Sequence, residues 1–192
     1  VEMSSSLGSF SSSKNSFQFS TGELNDRFTF SGRLSQIQSE GYVDRASSNL
    51  KSYFFQGTYQ DENTLVKGLA FGGHEITYQS WYGLDAVALE ADRRSNPAGA
   101  LYDNNGMASG FYNNQVDDYT QDHFQLHWNE KIDGFWNFSV GLNYTYGRGF
   151  YEEYNDLWYA QNISSGSETS YSYLQIPQSN DLENSINETE NI

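Results

Sequence analysis

The sequence lacks cysteine, is poor in basic residues and contains no long apolar run. The absence of cysteine excludes disulfide bonds and thiolate metal sites. Ten lysine or arginine residues stand against 25 acidic ones, and the formal net charge is −15. A nucleic-acid partner is therefore not expected, because phosphate contacts need a basic surface. Without an apolar run of roughly 18 residues, the sequence also predicts no membrane-spanning helix.

Aromatic residues are what the sequence has in abundance. The 13 phenylalanines, 15 tyrosines and four tryptophans make up 17% of the 192 residues, although hydrophobic residues of all kinds reach only 36%. Disordered acidic chains are poor in aromatic residues, and the core of an ordinary globular domain is built mainly from leucine, isoleucine and valine. This composition favours strands in which rings alternate with polar residues.

Alternation with a period of two predicts seven strands, and the clearest lies at 136–146. One face of this segment carries only apolar or aromatic residues, namely Trp136, Phe138, Val140, Leu142, Tyr144 and Tyr146. The other face carries small and polar residues. The same alternation occurs at 16–20, 28–35 and 123–129, and weaker runs lie at 1–7, 50–59 and 64–78.

Short and long connections between these strands alternate along the chain. In an up-and-down sheet, alternate connections fall at the same end, so all long loops share one end, as in outer-membrane barrels. The two longest loops also hold −13 of the net charge of −15. The predicted short turns are 23–26, 60–63 and 130–134, and the connections at the other end are 8–10, 40–48, 79–122 and 150–192.

Five segments resemble TonB-dependent outer-membrane receptors, particularly those typical of Bacteroidetes. They are LGSF at 7–10, FTFSGRLSQI at 28–37, GYVDRASSNLKSYF at 41–54, FGGHEITYQSW at 71–81 and YTQDHFQLHW at 119–128. The similarity covers most of residues 1–154 and consists of long ordered segments rather than one short motif. The remainder of the chain is assigned only by its place in the order.

The resemblance implies a plug domain inside a barrel of about 22 strands, with energy supplied by an inner-membrane complex through a TonB box. We expect residues 1–192 to be a fragment of one such barrel domain, holding about its first seven strands. The plug and the TonB box are expected to lie outside this chain. The implied function is uptake of a scarce nutrient complex, such as a ferric siderophore, a corrinoid or a glycan.

Seven aromatic residues of the predicted long loops are candidate ligand-binding residues, because tyrosine and tryptophan rings can stack on the face of a sugar, a siderophore or a corrinoid. The alternative is that these rings pack the loops or lie in the outer aromatic girdle of a barrel. The seven are Trp81, Tyr82, Tyr102, Tyr112, Tyr119, Trp158 and Tyr159.

Other polar groups predict neither a metal site nor a catalytic site. His123 and His127 would pair on a helix, but on the predicted strand they lie roughly 13 Å apart and are expected to face the barrel lumen. The segment 103–106 predicts a turn rather than a calcium loop, because its oxygen ligands do not recur at alternate positions. The acidic pairs at 117–118 and 152–153 favour a solvated surface over a glycosidase pair.

The patterns predict an all-β, antiparallel transmembrane barrel segment. The resemblance implies that this segment lies in the bacterial outer membrane and acts as a receptor and transporter, and no enzyme activity is expected. The expected partners are outer-membrane lipid, a small nutrient ligand, and the TonB complex through other parts of the protein; no cofactor is expected. The first alternative is an extracellular β-sandwich that binds glycans. A second is a non-transporting, adhesin-like barrel, which only the family resemblance disfavours. The rings would face lipid in the barrel and a dry core in the sandwich.

Overall fold

The computed structural model describes residues 1–103 and 105–154, and these residues form an all-β structure. The main sheet has seven strands in the order β1-β2-β3-β4-β5-β8-β9, and β6 and β7 form a separate hairpin. The elements are β1 (Glu2–Leu7), β2 (Ser13–Leu24), β3 (Phe28–Ser39), β4 (Ser48–Gln60), β5 (Thr64–Tyr78), α1 (Ala86–Ala91), β6 (Ala100–Tyr102), β7 (Ala108–Phe111), β8 (Val116–Ile132) and β9 (Trp136–Glu152).

Each strand of the main sheet pairs antiparallel with the next one, so the sheet is an up-and-down meander. The seven predicted strands are all present, and the three short turns lie between β2 and β3, β4 and β5, and β8 and β9. Within the described residues the sheet is open, with β1 and β9 at its edges. No helix in this part of the chain is long and apolar enough to cross a membrane.

The predicted loop at 79–122 is wrong in two respects. Strand β8 begins at Val116, and the remaining connection contains the helix α1 and the β6–β7 hairpin. The first residues of β8 escape a search for apolar alternation because Asp118, Thr120 and Asp122 are polar on the face that carries rings further along the strand. The loop predicted at 150–192 likewise begins later, since β9 continues to Glu152. The rest of that loop lies outside the described residues.

The register divides the main sheet into an aromatic face and a polar face, because residues paired across adjacent strands point to the same side. One unbroken row across the sheet is Phe17, Leu34, Tyr53, Gly72, Asp122 and Tyr146. The aromatic face also includes Phe30, Phe55, Phe124, Leu126, Trp128, Phe138, Leu142 and Tyr144. The polar face includes Gln18, Arg33, Ser52, Lys67, Gln121, His123, Gln125, His127 and Asn143.

The aromatic face is most apolar over the part nearer the short turns. In β9 the apolar stretch runs from Trp136 to Tyr146, and in β3 it runs from Phe28 to Leu34. The next row toward the long connections is polar on all six strands of the main sheet that follow β1. Its members are Asn15, Gln36, Lys51, His74, Thr120 and Arg148.

The side chains of the aromatic face are not covered by a second layer of the described chain. Leu142 is 59% exposed and Trp136 is 73% exposed. The side chains that are fully buried lie instead at the end of the sheet, under the connection from β5 to β8, where Gln79 and Gln115 are each 1% exposed. The sheet therefore carries a large exposed apolar surface and a small, polar core at one end.

A glycine lets the rings of the aromatic face pack over the backbone of the sheet. Gly32 lies between Phe19 on β2 and Phe55 on β4, and a Cβ atom at this position would collide with both rings. The rings thus cover the strand where it has no side chain. This arrangement explains why a glycine interrupts the alternation of Phe30 and Leu34.

Candidate binding site at the loop end

Three connections and the end of β9 meet at one end of the main sheet, which we call the loop end. They are the β1–β2 turn, the β3–β4 loop and the connection of residues 79–115. The Glu40 backbone N–H donates to the Phe10 carbonyl at 2.9 Å, and the Asp44 N–H donates to the Arg94 carbonyl at 2.7 Å. Segments far apart in the sequence are therefore joined into one unit.

Buried amide side chains hold this unit together. The Gln79 side-chain amide donates to the carbonyls of Val116 at 3.3 Å and Glu152 at 3.1 Å. Its oxygen accepts from the Gln115 amide at 3.1 Å, and the Gln115 oxygen accepts from the Tyr154 N–H at 2.8 Å. Since buried polar groups are costly unless paired, this chain of hydrogen bonds allows a polar core in place of an apolar one.

Asn96 and Tyr78 extend the same core toward the β3–β4 loop. The Asn96 amide, 3% exposed, donates to the carbonyls of Asp44 at 3.1 Å and Gln79 at 3.0 Å. The buried Tyr78 hydroxyl lies 2.8 Å from the Tyr112 carbonyl and 3.2 Å from that of Ala98. These bonds fix the long connection against the strands from which it leaves and returns.

The backbone of the β3–β4 loop turns sharply and places Arg45. Gly41 has a φ of +76°, and a Cβ atom there would collide with the Ala46 carbonyl oxygen. Arg45 itself has a φ of +62°, which is uncommon for a residue other than glycine. Arg45 lies within a tight turn, which is closed by a hydrogen bond from the Ala46 N–H to the Val43 carbonyl at 3.1 Å. The result is that the Arg45 side chain reaches under the 79–115 connection.

The Arg45 guanidinium group is partly enclosed but carries no ion pair within residues 1–103 and 105–154. Its Nη2 donates to the Asn96 carbonyl, and its Cζ lies 3.3 Å from the centre of the Phe111 ring and 5.9 Å from that of Tyr78. Its Nε is buried and has no hydrogen-bond partner in the same residues. Because Nε is buried, it is closed to a ligand as well as to water, and a ligand could contact Arg45 only where its side chain lines a cavity.

A cavity of about 360 Å³ lies beside Arg45. A second arginine, Arg94, also lines it, but its charge is already matched by Asp44 at 3.1 Å and its Nε donates to the Tyr42 carbonyl at 3.0 Å. The other lining residues are Phe10, Glu40, Gly41, Val43, Ser47, Tyr78 and Asn113. The cavity thus combines one unmatched cation with an acidic group, hydrogen-bonding groups and aromatic walls.

The predicted aromatic residues do not gather at this cavity. Trp81, 62% exposed, and Tyr82 lie at the start of the 79–115 connection, and Tyr102 lies in β6. Tyr119 is not a loop residue, because it lies in β8 on the polar face, where its ring packs over Gly147. Trp158 and Tyr159 lie outside the described residues.

Two of the predicted tyrosines meet acidic groups at the end of β9. The Tyr82 hydroxyl donates to Glu153, and burial together with this bond raises the pKa of Tyr82 to about 12. The Tyr112 hydroxyl donates to Glu152, a bond that raises the pKa of Tyr112. The Tyr112 ring also packs on Tyr154 at 5.8 Å. These contacts attach the 79–115 connection to the end of β9. They agree with the alternative in which the loop rings pack the loops rather than bind a ligand.

The histidines lie on strands and in separate contacts. His123 stacks on Phe71 with ring centres 4.7 Å apart, and its Nδ1 lies 2.9 Å from the Thr145 hydroxyl. His74 lies 2.8 Å from Asp118 on the aromatic face. No group of three potential metal ligands occurs in residues 1–103 and 105–154.

Asp103 and Gly106 meet as expected for the predicted turn, because the Gly106 N–H donates to the Asp103 carbonyl at 2.9 Å. The Asp103 carboxylate accepts from the backbone N–H groups of Met107 and Asn105, each at 2.9 Å. These bonds lower the pKa of Asp103. The carboxylate is thus engaged in closing the turn.

A larger groove, of about 700 Å³, crosses the aromatic face of the main sheet. It runs from Met3 on β1 to Arg148 on β9, where the apolar stretch meets the polar row. Arg148 in this groove is paired with Asp122 at 2.9 Å, and Lys51 also lines it. The groove lies on the open surface of the sheet, whereas the loop-end cavity lies between the β3–β4 loop and the 79–115 connection.

Comparison with protein-family models, with curated proteins and with solved structures yields no match. The resemblance of the five sequence segments to TonB-dependent receptors therefore stays a prediction.

Sequence reasoning missed the residues that build the loop end. Arg45, Gln79, Asn96 and Gln115 are single polar residues in connections or at strand ends, and no local pattern distinguishes them. Their relation arises only when the meander brings the β3–β4 loop beside the 79–115 connection.

Proposed function

We propose that this chain is part of the wall and the outer end of a TonB-dependent outer-membrane receptor, a β-barrel that takes up a scarce nutrient complex. The observation that carries the proposal is the division of the aromatic face into an apolar stretch near the short turns and a polar row near the long connections. A barrel wall needs apolar side chains where it contacts the lipid tails and polar side chains where it extends beyond the membrane.

The length of the apolar stretch in β9 suits a bilayer. From Trp136 to Tyr146 the strand advances about 33 Å at ~3.3 Å per residue. With the tilt of about 40° that is usual in outer-membrane barrels, this corresponds to a height of about 25 Å, the height of their lipid-facing band. The polar face would then border the lumen, where His123, His127 and Asn143 are expected.

The positions of the turns and loops support one orientation of the sheet across the membrane. The three short turns lie at one end, as periplasmic turns do, and the long connections with their buried polar core lie at the other. The loop end would therefore face the outside of the cell and first meet the ligand. Uptake itself is inferred from the family resemblance, and energy coupling would reside in other parts of the protein.

Site-directed spin labels test the assignment of the two faces. Labels at positions 138 and 142 should be relaxed by oxygen, which concentrates in lipid, and shielded from a polar nickel reagent. Labels at the matched positions 139 and 143 should respond less to oxygen. If 138 and 142 are shielded from both reagents, the aromatic face lies in a dry protein core and the barrel proposal fails.

An extracellular β-sandwich that binds glycans is a second candidate. It is favoured by one observation, namely that the sheet is open in the described residues and its exposed apolar face would need a cover. Shielding of positions 138 and 142 from both reagents would support this candidate.

A further inference from the structure

The loop-end cavity holds a positive charge that the described chain leaves unmatched. Arg45 lines the cavity and forms no ion pair in residues 1–103 and 105–154. Arg94 is neutralised by Asp44. An anionic group placed in the cavity beside the Arg45 guanidinium group would supply the missing opposite charge.

The guanidinium group is positioned in advance for such a contact. The Phe111 ring covers one face of it, and the Asn96 carbonyl holds Nη2. Asn96 is in turn bonded to two backbone carbonyls of the buried core. Because the side chain is already ordered, a ligand would not have to bear the entropy of immobilising it.

The remaining lining indicates which anion fits. Glu40 lines the same cavity but forms no ion pair with either arginine in the described residues. A carboxylate repels a second negative charge and accepts hydrogen bonds from hydroxyl groups. Ser47 and Asn113 add further polar groups at the exposed rim. These groups favour a ligand with one negative charge and several hydroxyls over a polyanion such as phosphate.

The size and the walls of the cavity restrict the ligand further. A volume of about 360 Å³ lies at the lower end of the range for small-molecule sites. Phe10 and Tyr78 present apolar ring surface to it. A single ring with one apolar side therefore suits the space better than an extended chain.

We propose that the loop-end cavity binds the carboxylate of an acidic sugar, with Arg45 as the carboxylate-binding residue and Glu40, Ser47 and Asn113 as hydroxyl-binding residues. This inference rests on the proposed function, in which the loop end meets the ligand. It adds the chemical class of the ligand: a hexuronic acid, free or at the end of a glycan.

The test measures binding of glucuronate to the membrane protein that contains the full chain, purified in detergent. Glucuronate should bind, and both its neutral parent glucose and inorganic phosphate should bind at least roughly tenfold more weakly, since each lacks the single carboxylate. Arg45→Gln should weaken glucuronate binding by roughly tenfold or more. Arg45→Lys keeps the charge but loses the guanidinium fork, and it should bind more weakly than the parent.

Arg93→Gln is the matched control, because Arg93 is an exposed arginine of the same connection outside the cavity lining, and its binding should equal that of the parent. Equal rates of proteolysis within residues 79–115 would establish that the Arg45 variants keep the loop fold. The proposal is overturned if glucuronate does not bind, if glucose or phosphate binds as well, or if a folded Arg45→Gln variant binds like the parent. The spin-label pattern at 138 and 142 is independent of these results, so failure of the sugar site is distinguishable from failure of the barrel.

Discussion

If the chain is part of an outer-membrane barrel, as proposed, Leu142→Arg should destabilise the protein by about 2–4 kcal/mol, the cost of a charge on the lipid face near the bilayer middle. Leu142 lies on the aromatic face of β9, opposite Leu126, and is 59% exposed in the structure. It stands about 20 Å along the strand from Trp136, or about 15 Å in height at a tilt of about 40°. That position is within about 3 Å of the middle of a band about 25 Å tall.

Unfolding by urea from lipid vesicles measures this cost, and two variants provide the comparison. Asn143→Arg, on the polar face opposite Gln125, should change the unfolding free energy far less. Tyr146→Arg, at the outer edge of the apolar stretch, should show a charge penalty of only ~0–1 kcal/mol. The destabilisation by an introduced arginine should therefore depend on which face of the sheet carries it and on how deep in the bilayer it lies.

The dependence of the destabilisation on depth distinguishes a lipid-facing surface from a packed protein core. In a sandwich, a charge would be buried in a packed core at 142 and also at neighbouring core positions, without the gradient that a bilayer imposes. Equal costs for Leu142→Arg and Asn143→Arg would refute the division into two faces. A large cost at both ends of the apolar stretch would refute the lipid assignment.

Three other substitutions test single contacts. Gly41→Ala should destabilise the β3–β4 loop by roughly 1–3 kcal/mol, because of its φ of +76° and the collision with Ala46, and should speed proteolysis there. Gln115→Ala should cost roughly 1–3 kcal/mol in thermal unfolding, since it leaves buried polar groups without partners; an unchanged melting temperature would contradict this. Asp61→Ala should lower the melting temperature at neutral pH. Hydrogen bonds from the Tyr59 hydroxyl and then from backbone N–H groups lower the Asp61 pKa to about 2. Because this folded-state pKa is below the unfolded one, the stabilisation is present at neutral pH and lost as pH falls through about 2, where parent and variant should converge.

The sheet could be predicted from the sequence because its alternation is a local property. In β9, every second residue from Trp136 to Tyr146 is apolar, so one strand and its face are visible within a single window. The start of β8 could not be predicted in this way. From Asp117 to Asp122 both faces are mostly polar, and pairing with β5 rather than burial determines the conformation.

The candidate site was beyond prediction for a different reason. Arg45 gains its role from Asn96 and Phe111, which are distant in the sequence and belong to another connection. The tyrosines chosen for their chemistry instead stabilise the loop end, as Tyr112 does through Glu152. A single sequence displays residue types but not which polar residues share a buried core.

The two parts of the structure are stabilised by different means, and this has a consequence for ligand binding. The sheet relies on backbone pairing and on rings that need an apolar surrounding, so its stability depends on what covers the aromatic face. The loop end instead closes its own hydrogen bonds through Gln79, Asn96 and Gln115. Its shape is therefore set by the chain itself. If the loop end binds the proposed ligand, this order presents Arg45 in one position before the ligand arrives, which favours affinity for a small ligand that could not offset the cost of ordering a loop.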